Sequence, residues 1–136
     1  MNEINKKLIA HLDKVLPSSF IEKRNILLID DEKKNLTCFN SMFRREANIF
    51  LAQNKEEALR VVKSKSIDFV FCDYRMPIDN GADILKEIIK FYPKIKRSIL
   101  TGVFNSDILM EFKIKSGTTD FILKPYSEQD ILTRLI

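Results

Sequence analysis

Histidine is nearly absent from this chain: His11 stands alone, which excludes a multi-histidine metal centre. Cysteine is almost as scarce. Cys38 falls in an expected helix and Cys72 in a buried apolar run, so both read as reduced core thiols rather than a disulfide. No apolar stretch approaches the roughly 20 residues that span a bilayer. The opening Met1-Asn2-Glu3-Ile4-Asn5-Lys6-Lys7 leads into no continuous apolar segment, so no secretory signal is expected. There is no internal repeat and no low-complexity tract. Basic residues exceed acidic ones, 23 to 19, giving a net charge of +4, yet the lysines are scattered. Without a clustered basic stripe, no direct nucleic-acid contact and no membrane contact are expected, and the cytoplasm is the expected compartment.

What is present suits one globular domain. The 136 residues are 45% hydrophobic and 31% charged. The run Phe69-Val70-Phe71-Cys72 leads straight into Asp73, with Pro77 four positions on. Such a run reads as a strand buried on both faces. A second run, Asn25-Ile26-Leu27-Leu28-Ile29, leads into Asp30-Asp31-Glu32. Further strands are expected at 47–52, at Arg97–Thr101 and at 120–125, the last with Pro125 at its exit. Helices are expected at 33–45, from Asn54 as N-cap with Glu57 reaching back, from Ala82 to about Tyr92, at 106–115 with Ile114 facing inward, and from Ser127 onward. The spacing of Leu36, Cys38/Phe39, Met42 and Phe43 marks the inner face of the first of these. Gly117 reads as a helix C-cap. Five alternations of strand and helix predict a parallel sheet with helices on both faces.

Residues 1–22 stand apart. Ile4, Leu8, Leu12 and Val15 recur at helical spacing before Pro17 breaks the pattern. This segment reads equally as a helix packed on the domain and as a dimerisation or partner helix. The expected division is therefore residues 1–22, helix and linker, and 23–136, one α/β domain.

Parallel strands deliver their carboxyl ends to one edge, where ligands bind in open α/β sheets. There the chain places Asp30 and Asp31, Asp73, Thr101 and Lys124. Two like charges about 4 Å apart repel by roughly 4 kcal/mol at an effective dielectric near 20. A hard cation relieves that repulsion, and oxygen-only donors favour Mg²⁺ over zinc or copper. Lys124 and the Thr101 hydroxyl then complete a cradle suited to a phosphoryl group on Asp73.

Taken together, these residues resemble the receiver domain of two-component response regulators. The resemblance covers about residues 24–136. It rests on Ile-Leu-Leu-Ile-Asp30-Asp31-Glu32, on Cys-Asp73-Tyr-Arg-Met76-Pro77 with Gly81 beyond, on Ile-Leu-Thr101-Gly102, and on Ile-Leu-Lys124-Pro125-Tyr126. It implies a flavodoxin-like (βα)5 fold with strand order 2-1-3-4-5. It implies that Asp73 accepts a phosphoryl group from a histidine kinase or phosphotransfer protein. Asp31, Asp73 and the Arg75 backbone carbonyl would hold Mg²⁺, with Asp30 acting mainly through water. Thr101 and Lys124 would contact the phosphoryl oxygens. Thr101 and Phe121 would be the switch pair, signalling through residues 105–136 to an output domain, a downstream protein or a second copy. Arg75 and Val103 occupy positions that modulate phosphate lifetime in the family, and Arg75 is expected to reach over the site and alter water access.

Each residue also has a plainer reading: Asp73 as a turn residue, Asp30 and Asp31 as helix caps, Lys124 as a surface lysine, Phe121 as core. Their coincidence on one edge outweighs those readings, except for Phe121, which has no hydroxyl to bond with. The segment from Thr101 to Lys124 is slightly longer than is usual in the family. Against the family pattern the last helix is expected to run about two turns further than Ile136, which leads to the expectation of a longer protein. The implied module phosphorylates and dephosphorylates itself and is not a turnover enzyme. The alternatives are a pseudo-receiver that serves only as an interaction domain, a phosphatase with an aspartate nucleophile, and a flavin carrier. The phosphatase would place its nucleophile after the first strand, and Asp30-Asp31-Glu32 would repel a flavin phosphate.

Overall fold

The computed structural model describes residues 2–15, 23–103, 105–117 and 120–135. The elements run α1 (Glu3–Val15), β1 (Arg24–Ile29), α2 (Lys33–Phe43), β2 (Ala47–Ala52), α3 (Lys55–Ser64), β3 (Phe69–Asp73), α4 (Gly81–Phe91), β4 (Lys96–Thr101), α5 (Ser106–Ser116), β5 (Phe121–Leu123) and α6 (Glu128–Leu132). A 3-10 turn, Thr133–Leu135, follows α6. All strand pairs are parallel, in the order β2-β1-β3-β4-β5. This is the expected (βα)5 order. No helix among the described residues is long and apolar enough to cross a membrane.

Alternation along the strands divides the core in two. Leu27, Ile29, Val70, Cys72 and Ile99 face one side and pack with Ala58 and Val62 of α3 and Ala82, Ile84, Leu85 and Ile88 of α4. Ile26, Leu28, Phe69, Phe71 and Leu100 face the other and pack with Leu36, Phe39 and Phe43 of α2 and Ile131 of α6. β3 is buried along its whole length, as an apolar run without alternation requires. Fully burying a side chain such as Phe71 or Leu27 contributes roughly 2 kcal/mol.

The helix starts follow local chemistry. Asn54 Oδ1 accepts from the Glu57 N–H at 2.9 Å. Glu57 reaches back as expected, but one residue further: its carboxylate accepts from the Gln53 N–H at 2.7 Å. Ser127 and Asp130 form a reciprocal capping box at α6. Gly117 caps α5 with φ of 66°, a left-handed conformation that favours glycine.

Three inward assignments are corrected. Cys38 is an exposed thiol, Met42 is 41% exposed and Ile114 is 74% exposed. On α2, the spacing of Leu36, Phe39 and Phe43 sets the buried stripe. Cys38 and Met42 each lie one residue, about 100° of rotation, off it. In α1, Ile4 and Leu8 stand exposed.

Candidate functional site

The strand register assembles the site. Ile29 lies opposite Cys72, Asp73 opposite Leu100, and Thr101 opposite Leu123. One residue beyond each match, Asp30 and Lys124 leave β1 and β5 at the same edge as Asp73. Period-two alternation also gives Asp30, Asp73 and Lys124 the same parity as Leu28, Phe71 and Ile122, the side facing α2 and α6. The Lys124 N–H donates to the Thr101 carbonyl at 2.8 Å, which extends the ladder to the lysine itself. The Lys124–Pro125 peptide bond that follows is cis.

The three carboxylates converge: Asp30, Asp31 and Asp73 each offer an oxygen within 4.8 Å of the others. Asp30 and Asp73 are buried, 2% and 8% exposed. The Lys124 ammonium donates to Asp73 Oδ1 at 2.6 Å. Burial is the largest influence on Asp73 and holds its carboxyl above the usual carboxylate range. Lys124 pulls the other way, and Asp30 and Asp31 add to the upward push. One ammonium against three carboxylates leaves an excess of negative charge in a partly dry pocket, the condition a bound cation corrects.

Asp30 is held by both oxygens. Its Oδ1 accepts from the Glu32 N–H at 3.0 Å and its Oδ2 from the Asn35 amide at 3.1 Å. Asp31 and Asp73 are the carboxylates of the cluster that could hold a metal directly. The donor set is all oxygen, which suits Mg²⁺. Thr101, 2% exposed, turns its hydroxyl onto its own loop. Oγ1 donates to the Val103 carbonyl at 3.0 Å and accepts from the Val103 N–H at 3.1 Å. Arg75 is exposed, and its backbone pairs with Asn80 across the turn. Val103 and Phe121 are half-buried.

Two further features close the site. A Cβ on Gly81 would run into the backbone carbonyl oxygen of Asp73, so only glycine lets α4 begin this close to the strand end. Beside the carboxylates lies a groove of about 430 Å³ lined by Asp30, Asn35, Met42, Lys124, Pro125 and Tyr126.

Residues 26–136 match the family model for the response regulator receiver domain. The chain belongs to that family. The receiver is 36% identical over 105 residues to the transcriptional regulatory protein ZraR of Klebsiella oxytoca, covering 76% of this chain and 24% of ZraR. It thus spans about a quarter of that relative's length. It is also 33% identical over 110 residues to protein CcdB of Bacillus subtilis, covering 79% of this chain and 90% of CcdB. Among solved structures it resembles a response regulator receiver domain protein from Clostridium thermocellum. There the TM-score is 0.74 and the identity 32%, over 82% of this chain and 90% of that one. It also shares its fold with the receiver domain of Ssk1, solved in complex with the histidine phosphotransfer protein Ypd1 of Saccharomyces cerevisiae. For that chain the TM-score is 0.73 and the identity 21%, over 83% of this chain and 86% of that one.

Within the receiver, the five residues expected at the sheet edge do gather there, and Lys124 already contacts Asp73. Sequence reading missed Asn35, which grips Asp30, and Gln53, whose amide reaches the Asp31 carbonyl at 3.5 Å. Tyr126, already part of the Lys124-Pro125-Tyr126 motif, lines the groove. An i, i+5 acid–amide pair across a helix start was the available signal for Asn35. Nothing local signals Gln53.

Proposed function

We propose that this receiver takes a phosphoryl group onto Asp73 from a phosphohistidine donor, a histidine kinase or a phosphotransfer protein. A carboxylate oxygen of Asp73 attacks phosphorus in line. The new P–O bond forms as the P–N bond to the donor imidazole breaks, and the phosphoryl group ends as an acyl phosphate. The single observation that carries this reading is the Lys124 ammonium on Asp73 Oδ1 at 2.6 Å, inside a cluster of three carboxylates. The ammonium fixes one oxygen of the nucleophile and stands ready to neutralise a phosphoryl oxygen.

Asp31, Asp73 and the Arg75 carbonyl would hold Mg²⁺, and Asp30, with both oxygens engaged, would act on it through water. When bound, Mg²⁺ supplies charge neutralisation for the phosphoryl oxygens. Thr101 is the second phosphoryl contact. To reach the phosphoryl group its hydroxyl must leave Val103, which gives the domain two states. Phe121 follows Thr101 as the aromatic partner, and α5, β5 and α6 form the output surface. Arg75, exposed at the lip, and Val103 tune how long the phosphate survives. Ssk1's receiver domain, of the same fold, pairs with a histidine phosphotransfer protein, which supports a donor of that kind for this chain.

Incubation with acetyl phosphate and Mg²⁺, followed by intact mass measurement, tests the reading. Wild type is expected to gain one phosphoryl group and Asp73→Asn none. A pseudo-receiver would gain none in either form, and an undiminished adduct on Asp73→Asn would place the acceptor elsewhere.

A further inference from the structure

The residue after the phosphoacceptor is tied to the output helix. The Tyr74 ring is buried, 8% exposed, in the core layer under α4. Its backbone is fixed on both sides. The Tyr74 N–H donates to the Leu100 carbonyl at 2.9 Å, and its carbonyl accepts from the Gly81 N–H at 2.9 Å. Its hydroxyl reaches across and donates to Glu111 Oε2 on α5 at 2.9 Å. Asn80, the N-cap of α4, is a second hydrogen-bond partner of the phenol. The other Glu111 oxygen, Oε1, accepts from Lys115 at 3.1 Å, and Lys115 also lies 3.4 Å from Asp83 on α4. Lys115 foremost, and Tyr74 after it, hold the Glu111 carboxyl below its usual range, so it bonds as an acceptor.

Besides this polar chain, α5 packs along α4. Among its described side chains, Ile108 packs against the core, while Met110 and Ile114 are 56% and 74% exposed. The loop that enters α5 carries Val103, the partner of the Thr101 hydroxyl. A shift of Thr101 toward Asp73 would break both of its bonds to Val103, while the Tyr74 backbone is bonded to Leu100 and Gly81. Phe121, at the position of the family's aromatic switch, has no hydroxyl with which to register the shift.

We propose that Tyr74 is a positioning residue: its hydroxyl, bonded to Glu111, holds α5 and the Val103 loop in the state where Thr101 faces away from Asp73, and that bond yields when a phosphoryl group binds. The proposal rests on Asp73 being the phosphoacceptor. Removing the hydroxyl lowers the cost of the switched state while leaving the ring in the core.

The test uses the full chain as wild type, Tyr74→Phe, Glu111→Ala and the double variant. Hydrogen exchange is measured across residues 106–116 without any phosphoryl donor, and the Kd for beryllofluoride with Mg²⁺ is measured by calorimetry. Beryllofluoride stands in for the bound phosphoryl group. Tyr74→Phe is expected to speed exchange in 106–116 several-fold, leave β1 and β3 unchanged, and tighten beryllofluoride binding at least about fivefold, the lower end of ordinary site-to-site coupling. Glu111→Ala should do the same, and the double variant should add little beyond either single one. Unchanged exchange in both single variants overturns the latch. Faster exchange with an unchanged Kd also overturns it, since α5 would then be held but not coupled. A wild type that binds no beryllofluoride would instead overturn the phosphoacceptor reading, and the exchange result alone would still decide whether Tyr74 holds α5.

Discussion

Asp73 sits where three influences compete, and its charge sets the behaviour of the site. Burial, the largest, raises its pKa above the usual carboxylate value; Lys124 opposes this, and Asp30 and Asp31 reinforce it. A carboxyl whose folded pKa is raised binds its proton more tightly in the fold than in the unfolded chain. It therefore contributes stability that is full below the unfolded pKa and is lost as pH rises through the folded one. In metal-free buffer, Asp73→Asn should be more stable than wild type at neutral pH. The difference in urea midpoint should grow from acidic pH upward and level off above the raised value. A difference that does not change with pH would contradict this. The identities of Asp30, Asp31, Asp73, Thr101 and Lys124 were legible because each is a polar residue at the end of an apolar run. Their partners were not. Which way the Thr101 hydroxyl turns depends on the conformation of the Gly102–Val103 turn, and the Tyr74–Glu111 bond joins residues 37 apart in sequence.

At the scale of elements, strand ends and helix starts are fitted tightly together. Gly81 is the clearest case, because an added methyl would strike the Asp73 carbonyl. Gly81→Ala must push α4 away from β3. Overpacking of this kind costs about 1–3 kcal/mol, to be read from the urea midpoint. A loss of less than half of one kcal/mol would mean that α4 gives way freely. Element type and order were readable from periodicity and from Asn54, Ser127 and Gly117, whose side chains or φ act within a few residues. The phase of α2 was less so. Cys38 and Met42 are apolar and adjacent to the true stripe, and only packing against Phe71 and Ile131 decides which side of the helix is inside. α6 illustrates the remaining gap: Arg134, in the turn beyond it, pairs with Asp120 at 3.1 Å, and Ser98 also donates to that carboxylate. That contact closes the sheet from outside any local motif.

For the whole molecule, the consequence is a fold that keeps one site under electrostatic tension. The chain as a whole carries a charge of +4, while three acids crowd at one edge. A cation that binds only the folded protein should therefore stabilise it. Raising Mg²⁺ to a hundred times its Kd is expected to add about 2.7 kcal/mol. Chelation should remove the gain, and Asp31→Asn should abolish most of it. A melting temperature indifferent to Mg²⁺ would contradict the assignment of these acids to a metal.

A phosphoryl group on Asp73 would be an acyl phosphate, and acyl phosphates have a chemistry that locates them in the chain. Borohydride reduces an aspartyl phosphate to homoserine, which fragmentation mass spectrometry locates along the chain. After treatment with acetyl phosphate and Mg²⁺, homoserine is predicted at position 73 and at neither 30 nor 31. Homoserine at another position, or at none, would contradict the account.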